Sequence, residues 1–258
     1  MQRTLGDLNR QFYEQHASAF VAKRDRPWPG WKRVLAAASG ERATMRVLDV
    51  GCGNGRLGAF LEGAWDGALE YVGIDTSQPM IDYARQRFAP GSTPNVVTRF
   101  VRGDLIADSP ADVLAETGVA GFDLCCAFGL LHHIPGEARR AALFAAMAER
   151  TQLGGVLAAS FWRFDAHERF RLRFREISAP EVAPHVDVNQ LEAGDHLVAW
   201  GDEEAVRYCH AACDEEIESH IEAMRACGLR LIDDFASEGP EQNLNRYVVF
   251  ERIASAGD

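Results

Sequence analysis

The residues whose spacing carries most chemistry lie in 47–58, VLDVGCGNGRLG, where an apolar run breaks into a glycine-dense turn ahead of a helical pattern. Glycine accepts positive φ and lets a ligand approach the backbone closely. The helix start that follows leaves N–H groups free for a carboxylate or phosphate. Gly53, Gly55 and Gly58 satisfy GxGxxG, a spacing also used by dinucleotide sites, so a nicotinamide cofactor stays open on this run alone. Three acids narrow the choice. Asp49, two residues before Gly51, can receive an ammonium group directly or through the loop. Asp75, closing the next apolar run in GIDTS, can accept from both hydroxyls of a ribose. Asp104, in the GDL after the third run, can face an exocyclic adenine amine. Each acid also has a structural alternative as a helix cap or turn residue. Met80, a turn into the helix after Asp75, would pack on adenine or serve the core. The stretch 127–134, AFGLLHHI, closes the fourth run and would border the same ligand.

These groups need strands to hold them. Short β-rich runs (MRVLDV, EYVGID, TRFVRGD, FDLCCAF, GVLAASFW) alternate with helical stretches such as 79–88 and 138–151, where apolar residues recur every three or four positions. That alternation predicts βα units and a doubly wound α/β fold, its sheet seven-stranded and mostly parallel. LRLIDDFAS and NRYVVFERI, separated by EGPEQN, read as a closing antiparallel pair. The three acids then converge on the crevice at the strand ends where open α/β sheets bind ligands. Residues 1–40 and 163–206 fall outside the alternation and read as parts of a lid over those ends. No repeat or low-complexity linker interrupts 1–258, which predicts a single domain.

Composition excludes several classes. With 47% hydrophobic and 25% charged residues the chain is neither disordered nor fibrous. No uncharged apolar run approaches the ~20 residues of a membrane span, and the polar start MQRTLGDLNRQFYEQ lacks a signal peptide's apolar core, so a cytoplasmic protein is expected. Six cysteines without CxxC pairs point to thiols in a reducing compartment. Cys209, His210 and Cys213 look like half of a zinc site, but without a second half no metal is expected. A net charge of −11 opposes non-specific binding to phosphate backbones. One stretch runs the other way: 162–175, WRFDAHERFRLRFR, carries Arg163, Arg169, Arg171, Arg173 and Arg175. It reads either as a solvated helix face or as a local nucleic-acid contact.

From Val47 to Ile134 the motifs resemble, in order, the class I S-adenosylmethionine-dependent methyltransferases. The flanks resemble a narrower group, the tRNA wobble-uridine methyltransferases that esterify 5-carboxymethyluridine. FYEQHASAFVAKRDRPWP, with Arg24, Pro27, Trp28 and Pro29, is similar to that group's entry segment. GDHLVAW (194–200) and RYCH (207–210) are similar to its GDxxVPW and RYYH, with Ala199 in place of a proline and Cys209 in place of a tyrosine. The resemblance implies S-adenosylmethionine as cofactor and S-adenosylhomocysteine as product. It implies cofactor contacts at Arg24, Trp28, Asn54, Thr76, Gly103, Leu105, Phe128 and His133 besides the acids and glycines above. A carboxylate acceptor fits, because an ionised carboxylate attacking a sulfonium methyl needs no general base, only positioning and desolvation. Arg207, Tyr208 and His210 would hold it, in a pocket closed by Trp28 and Trp200; the alternative for them is a lid helix with packed aromatics. His132 and His133 invite a general-base role that their place in the family does not require. The acceptor is then tRNA or a small carboxylic acid, and the resemblance also implies a small zinc-containing activator protein. A NAD-dependent oxidoreductase and a non-catalytic cofactor-binding module are the competing readings.

Overall fold

The computed structural model describes residues 2–24, 26–89, 95–175, 186, 189, 191–201 and 205–254. Helices α1 (Gln2–Lys23) and α2 (Gly30–Ala38) precede the alternating core. The core runs β1 (Thr44–Val50), α3 (Arg56–Ala64), β2 (Ala68–Asp75), α4 (Gln78–Arg87), β3 (Val96–Arg102), α5 (Pro110–Ala115), β4 (Phe122–Ala127), α6 (Glu137–Arg150) and β5 (Thr151–Trp162). After it come α7 (Glu168–Arg171), β6 (Phe174–Arg175), β7 (Asp195–Ala199), β8 (Val206–His210), α8 (Asp214–Ala226), β9 (Leu229–Ser237) and β10 (Asn245–Arg252).

The main sheet has seven strands in the order β3-β2-β1-β4-β5-β10-β9. The first five are parallel, while β10 runs antiparallel to both β5 and β9. Strands buried on both faces need continuous apolar runs, and β4 (FDLCCA) is buried at every position. Helices cover both faces. Trp31, Val34 and Leu35 of α2 with Leu57 and Leu61 of α3 pack on one; Leu143, Phe144 and Met147 of α6 with Ile217, Ile221 and Met224 of α8 pack on the other. Strand order reverses between β1 and β4, which opens a crevice above their carboxyl ends.

The segment expected to form a second lid piece departs from a simple helical cover. It holds an antiparallel three-stranded sheet, β6-β7-β8, in which Asp195 sits opposite His210 and Leu197 opposite Tyr208. Residues 207–210 are therefore a strand rather than a lid helix. Much of the 163–206 expectation falls on 176–185, 187, 188, 190 and 202–204, outside the described residues. Among the described residues no helix is long and apolar enough to cross a membrane.

Candidate active site

Glycine shapes the turn after β1. Gly51, Gly53 and Gly55 have φ of +78°, +52° and +72°, values costly for a side chain with a Cβ. Gly51 and Cys52 donate their N–H groups to the Ile74 carbonyl at 2.8 and 2.9 Å, which folds the turn onto the end of β2. A Cβ at Gly53 would meet nothing within 4 Å, so this residue faces open space. Gly55 instead packs on Phe88 and Ala84 at the start of α3, away from the space its neighbours border.

That space is a cavity of ≈ 490 Å³ above the strand ends. Asp75 borders it at the tip of β2. Its Oδ2 accepts from the Gly53 N–H and its Oδ1 from the Ser77 N–H, each at 2.9 Å, so each oxygen keeps a lone pair for a ribose hydroxyl. Burial raises its pKa against those two donors. Asp49 is buried at the end of β1 and accepts from the Tyr71 hydroxyl. Burial pushes it up to about 7, with Asp75 raising it and the Tyr71 bond lowering it. An ammonium group brought there would restore its charge. Asn54 and Met80 also border the cavity, and the buried Asn54 Nδ2 is a donor without a partner among the described residues, suited to a carboxylate. Thr76, Gly103, Leu105, Phe128, Trp28 and Arg24 also line this cavity.

Asp104 reaches the cavity with its carboxylate already engaged. Its Oδ1 caps the following turn through the Ile106 and Ala107 N–H groups at 2.9 and 3.0 Å, and its Oδ2 accepts from Arg10 of α1 at 2.9 Å. An adenine amine there would share or displace Arg10.

Sequence reasoning missed how α1 contributes. Asn9, 5% exposed, uses both halves of its amide on one residue of β8: Oδ1 accepts from the Tyr208 N–H at 2.8 Å and Nδ2 donates to the Tyr208 carbonyl at 3.1 Å. One turn on, the Tyr13 hydroxyl lies 2.9 Å from His133 Nε2. His133 Nδ1 lies 3.0 Å from the Tyr208 carbonyl, an acceptor, and 3.2 Å from the Asn9 Nδ2, a donor, so α1 and β8 hold the ring between them. The four-residue spacing of Asn9 and Tyr13 on one helix face was the available signal.

The far end of the cavity is cationic and aromatic. Arg207, 4% exposed, lies 5.2 Å over the Trp162 ring and 5.7 Å from that of Phe12. Its Nη1 donates to the Tyr13 hydroxyl at 3.4 Å, and its buried Nε has no partner among the described residues. Arg24 stacks over Phe20 at 4.5 Å, and burial together with Arg207 lowers its pKa to about 10. Neither arginine meets a carboxylate among the described residues. Burial drives His133 down to about 3 with help from Arg207, and His132 well below its ordinary range, so both are neutral near pH 7. Neither histidine is poised to carry a proton.

Strand alternation separates the acceptor residues expected in RYCH. Arg207 and Cys209 face the cavity side, whereas Tyr208 and His210 point behind the strand. The Tyr208 hydroxyl donates to Asp195 Oδ1 at 2.7 Å. His210 bridges Asp195 at 2.7 Å and Glu216 at 2.8 Å, and these bonds outweigh burial to raise its pKa. Arg140, 1% exposed, closes the cluster on Glu216 and Glu192 at 2.6 and 2.9 Å. Tyr208 and His210 thus hold β8 in place and do not reach an acceptor. Cys213 caps α8 by accepting from the Glu216 N–H, so Cys209, His210 and Cys213 do not converge on a metal. Trp200 is likewise off the cavity, edge-on to Phe12 and beneath Lys23.

Residues 47–155 match the family model of a methyltransferase domain. The chain is 28% identical over 178 residues, 68% of its length, to the tRNA (carboxymethyluridine(34)-5-O)-methyltransferase alkbh8 of Xenopus tropicalis, covering 24% of that protein. It is 30% identical over 208 residues, 76% of its length, to trans-aconitate 2-methyltransferase of Streptomyces coelicolor, covering 63% of it. It thus spans less than two thirds of either relative. The magnesium protoporphyrin IX methyltransferase of Synechocystis, solved with S-adenosylhomocysteine bound, superposes with a TM-score of 0.60 at 15% identity, covering 96% of this chain and 99% of that one. Residues 47–155 are thus a methyltransferase domain in the fold of S-adenosylmethionine-dependent methyltransferases, and S-adenosylmethionine is the cofactor its glycine turn and strand-end acids fit.

Proposed function

We propose that this protein transfers a methyl group from S-adenosylmethionine to a carboxylate oxygen, the acceptor being the carboxymethyl group of a modified wobble uridine in tRNA. The observation that carries this reading is Arg207, a buried cation on the cavity side with no carboxylate facing it among the described residues. A buried unpaired charge costs several kcal/mol, so the site is completed by a ligand that brings the negative charge. A bidentate guanidinium–carboxylate pair also orients one oxygen for in-line attack.

Bound S-adenosylmethionine supplies a methyl carbon made electrophilic by the attached sulfonium. The acceptor oxygen bonds to that carbon as the carbon–sulfur bond breaks and its electron pair stays on sulfur. No proton moves, which agrees with two neutral histidines beside Arg207. Arg24 holds the cofactor's carboxylate, Asp49 its ammonium and Asp75 its ribose. The described parts of 1–40 and 163–206 act as lid pieces of a single catalytic unit, α1 being tied down through Asn9, and exclude water from the reacting charges. The small activator protein implied by the resemblance belongs to this same reading.

A second acceptor, a small polycarboxylic acid, is favoured by the trans-aconitate relative and by the net charge of −11. Incubation with methyl-labelled S-adenosylmethionine and either wobble-hypomodified tRNA or trans-aconitate separates the two. A methyl ester releases its label as methanol in mild alkali. Alkali-labile label in tRNA supports the first reading and label in the acid alone supports the second. Alkali-stable label overturns carboxylate methylation.

A further inference from the structure

Four exposed arginines stand within seven residues beside the cavity: Arg169, Arg171, Arg173 and Arg175. In a chain with net charge −11 this is a local reversal of sign. Among the described residues the fold does not neutralise it. Arg163, at the start of the stretch, pairs with Asp214 at 2.7 Å. The other four meet no carboxylate among the described residues: Arg171 donates to the Asp165 carbonyl, Arg175 to the Phe174 carbonyl, and Arg169 lies over the Phe170 ring.

Local structure turns these charges outward around the cavity mouth. Phe170, between Arg169 and Arg171 on α7, borders the cavity and meets Trp162 edge-on at 5.0 Å. In the next strand Phe174 stacks on His196 at 4.1 Å, so period-two alternation leaves its neighbours Arg173 and Arg175 on the open face. β6 is also an edge of the small sheet. The rim is therefore basic outside and aromatic inside.

We infer that this rim docks the phosphate backbone of an RNA loop and delivers one of its nucleotides into the cavity. The inference rests on the RNA reading above and adds where the RNA is held. A small acid that fits the cavity has no use for four arginines outside it, whereas consecutive phosphates along a loop match them, and an unstacked base finds Phe170 and Trp162. The acidic remainder of the surface repels phosphate and confines RNA to this edge.

The test combines Arg169→Gln, Arg171→Gln, Arg173→Gln and Arg175→Gln, none of which borders the cavity. The probe is a synthetic anticodon stem-loop RNA carrying 5-carboxymethyluridine, with binding followed by fluorescence anisotropy across a salt series. Four lost phosphate contacts are expected to flatten the logarithmic salt slope by about 3 and weaken binding at least about tenfold, with S-adenosylmethionine affinity unchanged. An unchanged slope, with RNA methylation retained, overturns the inference and leaves the acceptor reading standing. Wild-type protein that ignores the RNA but methylates trans-aconitate overturns both. If the fourfold variant fails to fold, Arg169→Gln/Arg171→Gln and Arg173→Gln/Arg175→Gln are each expected to lower the slope by about 1.5, and no change in either overturns the inference.

Discussion

Replacing Asp49 by Asn is expected to make the protein more stable and less able to bind its cofactor. Burial holds the Asp49 carboxyl near pKa 7 in the folded chain, against an ordinary value of 3.8. Between those values the folded state keeps a proton that the unfolded state has released. Stability therefore falls as pH rises through that window and levels off above it. At ~1.4 kcal/mol per tenfold change in proton affinity, the full cost above pH 7 is about 4 kcal/mol. Asn occupies the same volume, can still accept from the Tyr71 hydroxyl, and carries no charge to desolvate. Recovering half the cost would raise Tm by about 4–8 °C in a chain of this size. At pH 5 the advantage shrinks to under about 2 kcal/mol, because Asp49 is then protonated in the fold. Scanning calorimetry of both proteins at pH 5 and pH 8 reads the difference, and titration with S-adenosylmethionine at pH 8 reads the lost ammonium contact. A stability gain equal at both pH values, or a loss at pH 8, refutes the reasoning.

Arg207→Gln is expected to spare cofactor affinity while reducing kcat/KM for the acceptor by about tenfold or more, since a charge-assisted bond is worth about 1.5–3 kcal/mol; steady-state kinetics checks it. Asn9→Ala strips both backbone groups of Tyr208 of their partner and should cost about 1–3 kcal/mol in denaturant unfolding. Arg140→Leu leaves Glu192 and Glu216 facing each other without their shared cation, for an expected loss of about 3–5 kcal/mol by the same measurement.

Much of this fold could be read along the chain because the main sheet is encoded locally. Runs such as FDLCCA are long, apolar and bounded by turns, and each acid bordering the cofactor wall ends or follows such a run. Asp49 and Asp75 could be placed for the same reason. The small sheet was illegible: β6 is two residues long, and its partner strand begins twenty residues later. In RYCH every residue can hydrogen-bond, so no polarity contrast marks which face meets the cavity. The choice is made by Asp195, Glu216 and Arg140, which draw Tyr208 and His210 backwards and leave Arg207 and Cys209 in front. Asn9 and Tyr13 were hidden because their partners lie more than a hundred residues away.

The most direct test of the account is calorimetric titration of wild-type protein and Asp75→Ala with S-adenosylmethionine and, separately, NAD. The account predicts saturable binding of S-adenosylmethionine by the wild type, its loss when Asp75 no longer meets the ribose, and no binding of NAD by either. Tight S-adenosylmethionine binding retained by Asp75→Ala, or NAD binding in its place, would contradict it.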